Sequence, residues 1–591
     1  MTRNRTLAAA ALVATLALTV SACGGSKSGG AGDGASKGTA AAAGFNAAVD
    51  KVVNPSDKKG GTLNLWSATD VDSLDPGRAY YASVWNYERF YARTLLAYDA
   101  KPGKEGLKLV PDLAAAQPEI AADGKTYTFK LKPGVKFEDG STITTKDIKY
   151  GIERTFATDV IAGGPNYLVN LLDQGQDYKG PYTDPDPNKL GLKSVETPDD
   201  TTIIFKLKAP DSSFPYLLAM GSASPIPQKL DTGSKYGDKP VSSGPYKFKS
   251  AEPGKGYELV RNENWDPATD TLRKALPDVV KLTITTNADD MDARQLDGTA
   301  DLDWGQTGLS QAAQVKVLQD PKLKANTDDP YNGFIRFISI IPAVAPFDNI
   351  HCRKAVLYAA DTTALQTARG GSVAGSPFGS MLPPNILGSD DYDPFGLTKG
   401  KPDLEKAKAE LKECGKPEGF STTIAVRGNK AKEVNSAVAL QTALKAINVT
   451  VNVDQYDGKL LASVAGSPDV VKTKGYGLVV AGWGADYPTG AGYMQPLMDG
   501  RFITKTGNSN YPETNDPEVN GWFDQAAAEK DPAKAADFYK KINHKVVDSA
   551  VWLPIVADKA LNYRNPRLTN VFVNDAFGEV DFQALGVSDG K

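Results

Sequence analysis

The sequence predicts an α/β protein built from more than one compact unit, and three observations carry that reading. Residues 126–131 put Tyr127, Phe129 and Leu131 on one face and Thr126, Thr128 and Lys130 on the other, the period-two pattern of a half-buried strand. A stripe of Ala437, Leu440, Leu444 and Ile447 at helical spacing feeds directly into the alternating Val449, Val451 and Val453. Such helix-then-strand pairs, repeated across short links, argue α/β layers. More than 500 residues of ordinary, aromatic-rich composition follow Gly60, more than a single core usually covers, so two or three subdomains are expected.

In chain order, the first element is a leader. Arg3 and Arg5 form a short positive region, residues 7–20 are apolar, and Val20-Ser21-Ala22-Cys23 is followed by Gly24-Gly25. The run is too short to cross about 30 Å of hydrocarbon comfortably and fits a secretory signal. A cysteine straight after small residues resembles the bacterial lipobox, which makes residues 1–22 a lipoprotein signal peptide and Cys23 the acylated first residue. The competing reading is an ordinary signal peptide whose cut falls near a cysteine. Removing residues 1–22 takes away Arg3 and Arg5 and no acid, moving the formal charge from −4 to −6. That mildly acidic, interspersed balance offers no footprint for nucleic acid. No later stretch is long and apolar enough to span a bilayer, so attachment falls to lipid, two or more acyl chains being needed to hold stably.

Residues 23–58 are expected to be the lipidated cysteine and a flexible tether, because the Gly, Ser, Ala, Lys and Asp of residues 24–44 cannot bury enough surface to offset chain entropy. The strand at 126–131 is bounded by the turn signals Asp123-Gly124 and Pro133-Gly134. Thr145 then reads as a helix N-cap, with Asp147 in the first turn and Ile148, Ile152 and Phe156 at helical spacing. A further helix runs from about Asp403 to Cys414, with Leu404, Ala407 and Leu411 on one stripe and Gly415 as its stop. Cys352 and Cys414 form an even pair outside the cytoplasm, which reads as a disulfide; two buried thiols are the alternative.

Catalytic and metal chemistry find little support. Only His351 and His544 are present; His351 precedes a charged helix start and His544 sits in a helix-surface pattern. No Gly-x-Ser-x-Gly elbow frames a nucleophile. Paired carboxylates for glycoside chemistry stay open, since 71 acidic residues always allow some pair. No His-x-x-x-His or Cys-x-x-Cys offers a metal set, and no Gly-x-x-x-x-Gly-Lys-Ser/Thr loop offers a nucleotide site. The chain is expected to be neither an enzyme nor dependent on a cofactor or metal.

Several blocks in order carry a resemblance. They are Leu109-Val110-Pro111-Asp112-Leu113-Ala114 with residues 123–131 and Gly134-Val135-Lys136-Phe137-Glu138-Asp139-Gly140; Ser243-Gly244-Pro245-Tyr246 with Glu252-Pro253-Gly254 and Arg261-Asn262; Ala345-Pro346-Phe347-Asp348-Asn349 with Arg353-Lys354-Ala355 and Tyr358-Ala359; and Gly482-Trp483-Gly484-Ala485-Asp486-Tyr487-Pro488. Over about residues 60–560 the chain resembles the family 5 extracellular solute-binding proteins, peptide-binding lipoproteins of bacterial ABC importers. The resemblance implies a two-lobed periplasmic-binding-protein-like fold of type II, with an extra inserted subdomain and a ligand cleft that closes like a hinged clamp. One lobe would comprise residues 59–105, 226–330 and 551–591, the insertion 106–225, and the second lobe 331–550. It also implies a monomer on the outer face of the cell membrane, short peptides as ligands and ABC permease subunits as partners. An oligosaccharide or other small polar solute is the alternative ligand.

The same resemblance nominates site residues. Asp486 follows the apolar run 478–481, at the strand end where α/β sheets present ligand contacts; its counterpart in peptide-binding members pairs with the ligand's α-ammonium. The bland alternative is a cap on the turn before Pro488. Trp483 would be an apolar wall, or else core. Arg427, after the alternating residues 422–426, aligns loosely with an arginine that holds a ligand carboxylate, a task suited to its planar fork; a solvated surface arginine is the competing reading. Tyr80 and Tyr81, after Leu74-Asp75-Pro76, lie where the first lobe would approach the cleft and could stack on a ligand.

Overall fold

The computed structural model describes residues 44–285 and 287–589. Three sheets organise them, each over its own core. A five-stranded sheet has the order Leu302–Asp303, Thr62–Ser67, Val279–Ile284, Gly256–Arg261, Tyr246–Glu252. Thr62–Ser67 runs parallel to both its neighbours and the rest is antiparallel. Leu63, Leu65, Leu259, Val280 and Leu282 of this sheet pack with Tyr87 and Tyr246. A six-stranded sheet has the order Gly375–Pro377, Trp552–Lys559, Tyr331–Ile340, Tyr476–Gly484, Ser421–Arg427, Thr450–Tyr456. It is antiparallel on one side of Tyr476–Gly484 and parallel on the other. These sheets are the centres of two lobes.

A smaller antiparallel sheet, Glu119–Ile120, Thr126–Lys130, Thr202–Lys206, Val195–Glu196, lies wholly between the first two strands of the first lobe in sequence. Tyr127 and Phe129 point into its core as the alternation requires. A bidentate ion pair ties this insertion to the first lobe: Arg154 donates to both carboxylate oxygens of Asp75 at 2.9 and 2.8 Å, with all charged atoms buried.

Three expectations need correction. The helix Thr145–Arg154, which follows the strand Thr126–Lys130, is capped by Thr144, not Thr145: the backbone N–H and hydroxyl of Thr144 both donate to Asp147 at 2.8 Å. Thr145 is the first helical residue, its hydroxyl spent on the Asp199 carbonyl at 2.7 Å. The tether does not reach residue 58. Residues 44–58 are docked on the first lobe, with a turn of helix at Ala47–Asp50, Ala48 buried, and Val53 paired with Val571 through two backbone hydrogen bonds of 2.7 and 3.0 Å. Val49 and Val53 supply bulky apolar side chains, which residues 24–44 lack. Lastly, the strand Trp552–Lys559 belongs to the second lobe, lying between Tyr331–Ile340 and Gly375–Pro377. The chain turns back to the first lobe only after it, and Leu568, Val571, Val573, Val580 and Leu585 then join the first lobe's core.

The helices Ile350–Ala359 and Leu404–Glu413 pack side by side, and Cys352 and Cys414 are joined between them, their Cα atoms 5.2 Å apart. Asp403 caps the second helix by accepting from Lys406 N, and Gly415, the stop read from sequence, follows its end at φ +75°. Residues 1–22 and Cys23 lie outside the described residues. Among the described residues no helix is long and apolar enough to cross a membrane.

Candidate ligand-binding site

The strand Tyr476–Gly484 is the axis of the site. Residues 476–481 are buried between the second lobe's two cores; from Gly482 onward the strand emerges. On its emerging face glycine is required. A Cβ on Gly484 would lie 2.5 Å from the Phe334 ring, and one on Gly482 would lie 2.7 Å from the Arg336 side chain. The strand end therefore stays narrow, and Asp486 follows two residues later, aimed at the first lobe.

Three parts of the chain meet on this carboxylate. Tyr80 of the first lobe donates its phenol to Asp486 Oδ2 at 3.1 Å. Tyr167, opening the helix Tyr167–Leu172 of the inserted subdomain, donates to the same oxygen. Burial raises the Asp486 carboxyl above the usual range, and the two phenols oppose that shift. Burial and the neighbouring carboxylate push the Tyr80 phenol up to about 12, so it stays a donor. Among the described residues no lysine or arginine pairs with Asp486. A half-buried carboxylate held by neutral donors alone is suited to receiving a cation, which would form a charge-assisted hydrogen bond there.

Asp486 also lines a cavity of about 80 Å³ between the lobes. The first lobe contributes Trp85, Glu88, Arg89 and Tyr98; the second contributes Phe334 and Asn385; Phe577 closes one side from the returning chain. Tyr80 braces this wall by meeting Trp85 edge to face, with ring centroids 5.8 Å apart, a favoured aromatic geometry.

The other nominated residues fall elsewhere. Tyr81 is 64 % exposed and does not line the cavity. Trp483 pairs in register with Ile335 and packs half-buried on the second lobe's core, the core alternative. Arg427 gives both Nε and a terminal nitrogen to Glu433, Nε at 2.9 Å, so its fork is already occupied inside the second lobe. Two residues of the site, one on Asp486 and one on the cavity wall, were not found from sequence. Tyr167 sits in the insertion, 319 positions from the carboxylate it meets. Glu88 ends the helix Ala82–Glu88; a lone acid in the aromatic run from Trp85 to Phe90 was the available signal. Among the described residues no cluster of histidine, cysteine and acid side chains could hold a metal.

Comparison with known proteins agrees with this architecture. The family model "Bacterial extracellular solute-binding proteins, family 5 Middle" matches residues 108–505. The glutathione-binding protein GsiB of Pectobacterium atrosepticum is 28% identical over 529 residues, covering 86% of this chain and 92% of that protein. GsiB of Escherichia coli is 25% identical over 530 residues, covering 87% and 90%. Among solved structures, the clavulanic acid biosynthesis oligopeptide binding protein 2 superposes with a TM-score of 0.88 at 43% identity, covering 92% of this chain and 99% of that one. The binding protein DppA of Helicobacter pylori, in complex with the peptide STSA, shares the fold at a TM-score of 0.66 and 21% identity, covering 90% and 99%. This chain belongs to the family 5 bacterial extracellular solute-binding proteins.

Proposed function

We propose that this protein is the extracytoplasmic, lipid-anchored receptor of an ABC importer, that it captures short peptides between its lobes, and that it delivers them to a membrane permease without chemical change. The observation that carries the peptide reading is Asp486: a carboxylate at the mouth of the second-lobe strand, facing the first lobe, with phenols as its only side-chain partners among the described residues. A peptide's α-ammonium supplies the missing cation. Relatives named for binding glutathione and oligopeptides support a peptide-like ligand, and the lipobox at Cys23 supports the anchor. Main-chain hydrogen bonds along a cleft provide affinity that tolerates varied side chains.

The test is native mass spectrometry of protein purified without its anchor, followed by thermal-shift screening against pools of short peptides and of oligosaccharides. Co-purified or stabilising peptides, lost in Asp486→Ala, are the expected result. Stabilisation by sugars alone, with Asp486→Ala indifferent, would overturn the peptide assignment.

A further inference from the structure

Glu88 is 2 % exposed, lines the interlobe cavity, and has no hydrogen-bond partner for either carboxylate oxygen among the described residues. Leaving such a group buried and unpaired is costly, and the fold brings more unpaired polar atoms to the same wall. Ser224 Oγ, Asn385 Oδ1 and two nitrogens of Arg89, Nε and one terminal nitrogen, also lack partners there. Gly221 lets the carboxylate stand where it does, because a Cβ at that position would lie 2.0 Å from Glu88 Oε2.

The cavity's charges do not cancel. Its two lining cations are committed to acids behind the wall: Arg89 to Asp581 at 3.1 Å, and Arg273 to Asp112 and Asp270 at 2.8 and 3.0 Å. Glu88 and Asp486 remain as two carboxylates without a cation among the described residues. Acceptor atoms outnumber free donors, so the complementary ligand is rich in donors and positively charged at two points.

We propose that the Glu88 wall is a second ligand subsite, which takes the guanidinium or ammonium of a basic side chain and makes the protein selective for short peptides containing arginine or lysine. The subsite rests on the peptide reading above, with the α-ammonium at Asp486. Arginine fits it best, since its planar fork meets a carboxylate bidentately and its remaining donors match the unpaired Ser224 Oγ and Asn385 Oδ1 that line the same cavity. Burial, with Asp72 and Asp75 nearby, holds the free Glu88 carboxyl well above the usual range. Cation binding therefore drives off its proton.

The experiment is isothermal titration of ligand-stripped protein with Ala-Ala-Ala, Arg-Ala-Ala, Ala-Arg-Ala, Lys-Ala-Ala, Ala-Lys-Ala, glutathione and free arginine, in two buffers of different ionisation enthalpy. A basic tripeptide is expected to bind at least tenfold tighter than Ala-Ala-Ala and to release about one proton per ligand. Glu88→Gln, isosteric with the protonated acid, is expected to erase both the preference and the proton release while still binding Ala-Ala-Ala. Its melting temperature checks the fold, and Gly221→Ala, which displaces the carboxylate without removing it, should weaken the preference in parallel. Equal affinities for neutral and basic tripeptides, or a preference that survives Glu88→Gln, would overturn the subsite and leave peptide binding intact. Binding of arginine but of no peptide would instead sink the peptide reading and retain the subsite.

Discussion

Replacing Asp486 by Asn isolates the charge at the centre of the site. An asparagine oxygen still accepts from Tyr80 and Tyr167, which meet the native carboxylate at a single oxygen, so the unliganded fold should keep its melting temperature. What disappears is the carboxylate opposite the ligand's ammonium. Truncating one partner of a buried, hydrogen-bonded charge pair costs about 2–5 kcal/mol. Asp486 is half-buried and solvent reaches it from the cavity side, which places the loss near the lower end, about 2–3 kcal/mol, or roughly 30- to 150-fold in Kd. Because burial raises the wild-type carboxyl, affinity should also fall on acidification earlier than for an ordinary aspartate, and the variant should lose that dependence. Titration calorimetry of ligand-stripped protein across pH reads both effects. A variant Kd within threefold of wild type, with the same acid fall-off, would refute the ammonium anchor.

Other expectations concern residues around the site and the frame that holds it. Burial raises Glu579 to about 8, so the folded state keeps a proton that the unfolded chain releases, and stability is lost as pH rises from about 4.5 to 8, on the order of 2–4 kcal/mol. Glu579→Gln keeps the bond from Asn86 and should raise the melting temperature at pH 8 while flattening the slope; Glu153, also held at about 8, keeps part of it, and an unchanged slope would count against the buried acid. The bridge between Cys352 and Cys414, 62 positions apart, should contribute about 4 kcal/mol in the chain-entropy account; reductant should lower the melting temperature of wild type but not of a double alanine variant, and equal responses would show the thiols free. Arg427→Ala should change peptide affinity less than threefold, since its fork is taken by Glu433, and a loss above tenfold would return it to the ligand.

What the sequence disclosed followed from how local each signal is. Alternation over six residues located the strand Thr126–Lys130, and the stripe of Leu404, Ala407 and Leu411 with a Gly415 stop located a helix to within a residue, because such patterns are set by neighbours in the chain. The Thr144 cap was missed by one position although its signal is local: Asp147 stands three residues after Thr144 and accepts from its N–H and hydroxyl, a capping box, whereas the Thr145 hydroxyl is spent on Asp199. The strand Trp552–Lys559 was assigned to the wrong lobe for a different reason: its apolar residues fit either sheet, and pairing with Tyr331–Ile340 decides. The position of Asp486 just past an apolar strand was legible, while the ligand role proposed for it rests on the resemblance. Tyr167 and Glu88 were not legible, since their roles arise when separate parts of the chain close on one site.

The most direct measurement on the central claim compares a tripeptide with its N-acetylated twin on wild-type protein. The two ligands differ only in the ammonium, and the protein is untouched. The account predicts that acetylation weakens binding by roughly 30-fold or more, and that Asp486→Asn binds both ligands alike. Equal affinity of the free and acetylated peptides for the wild-type protein would contradict it.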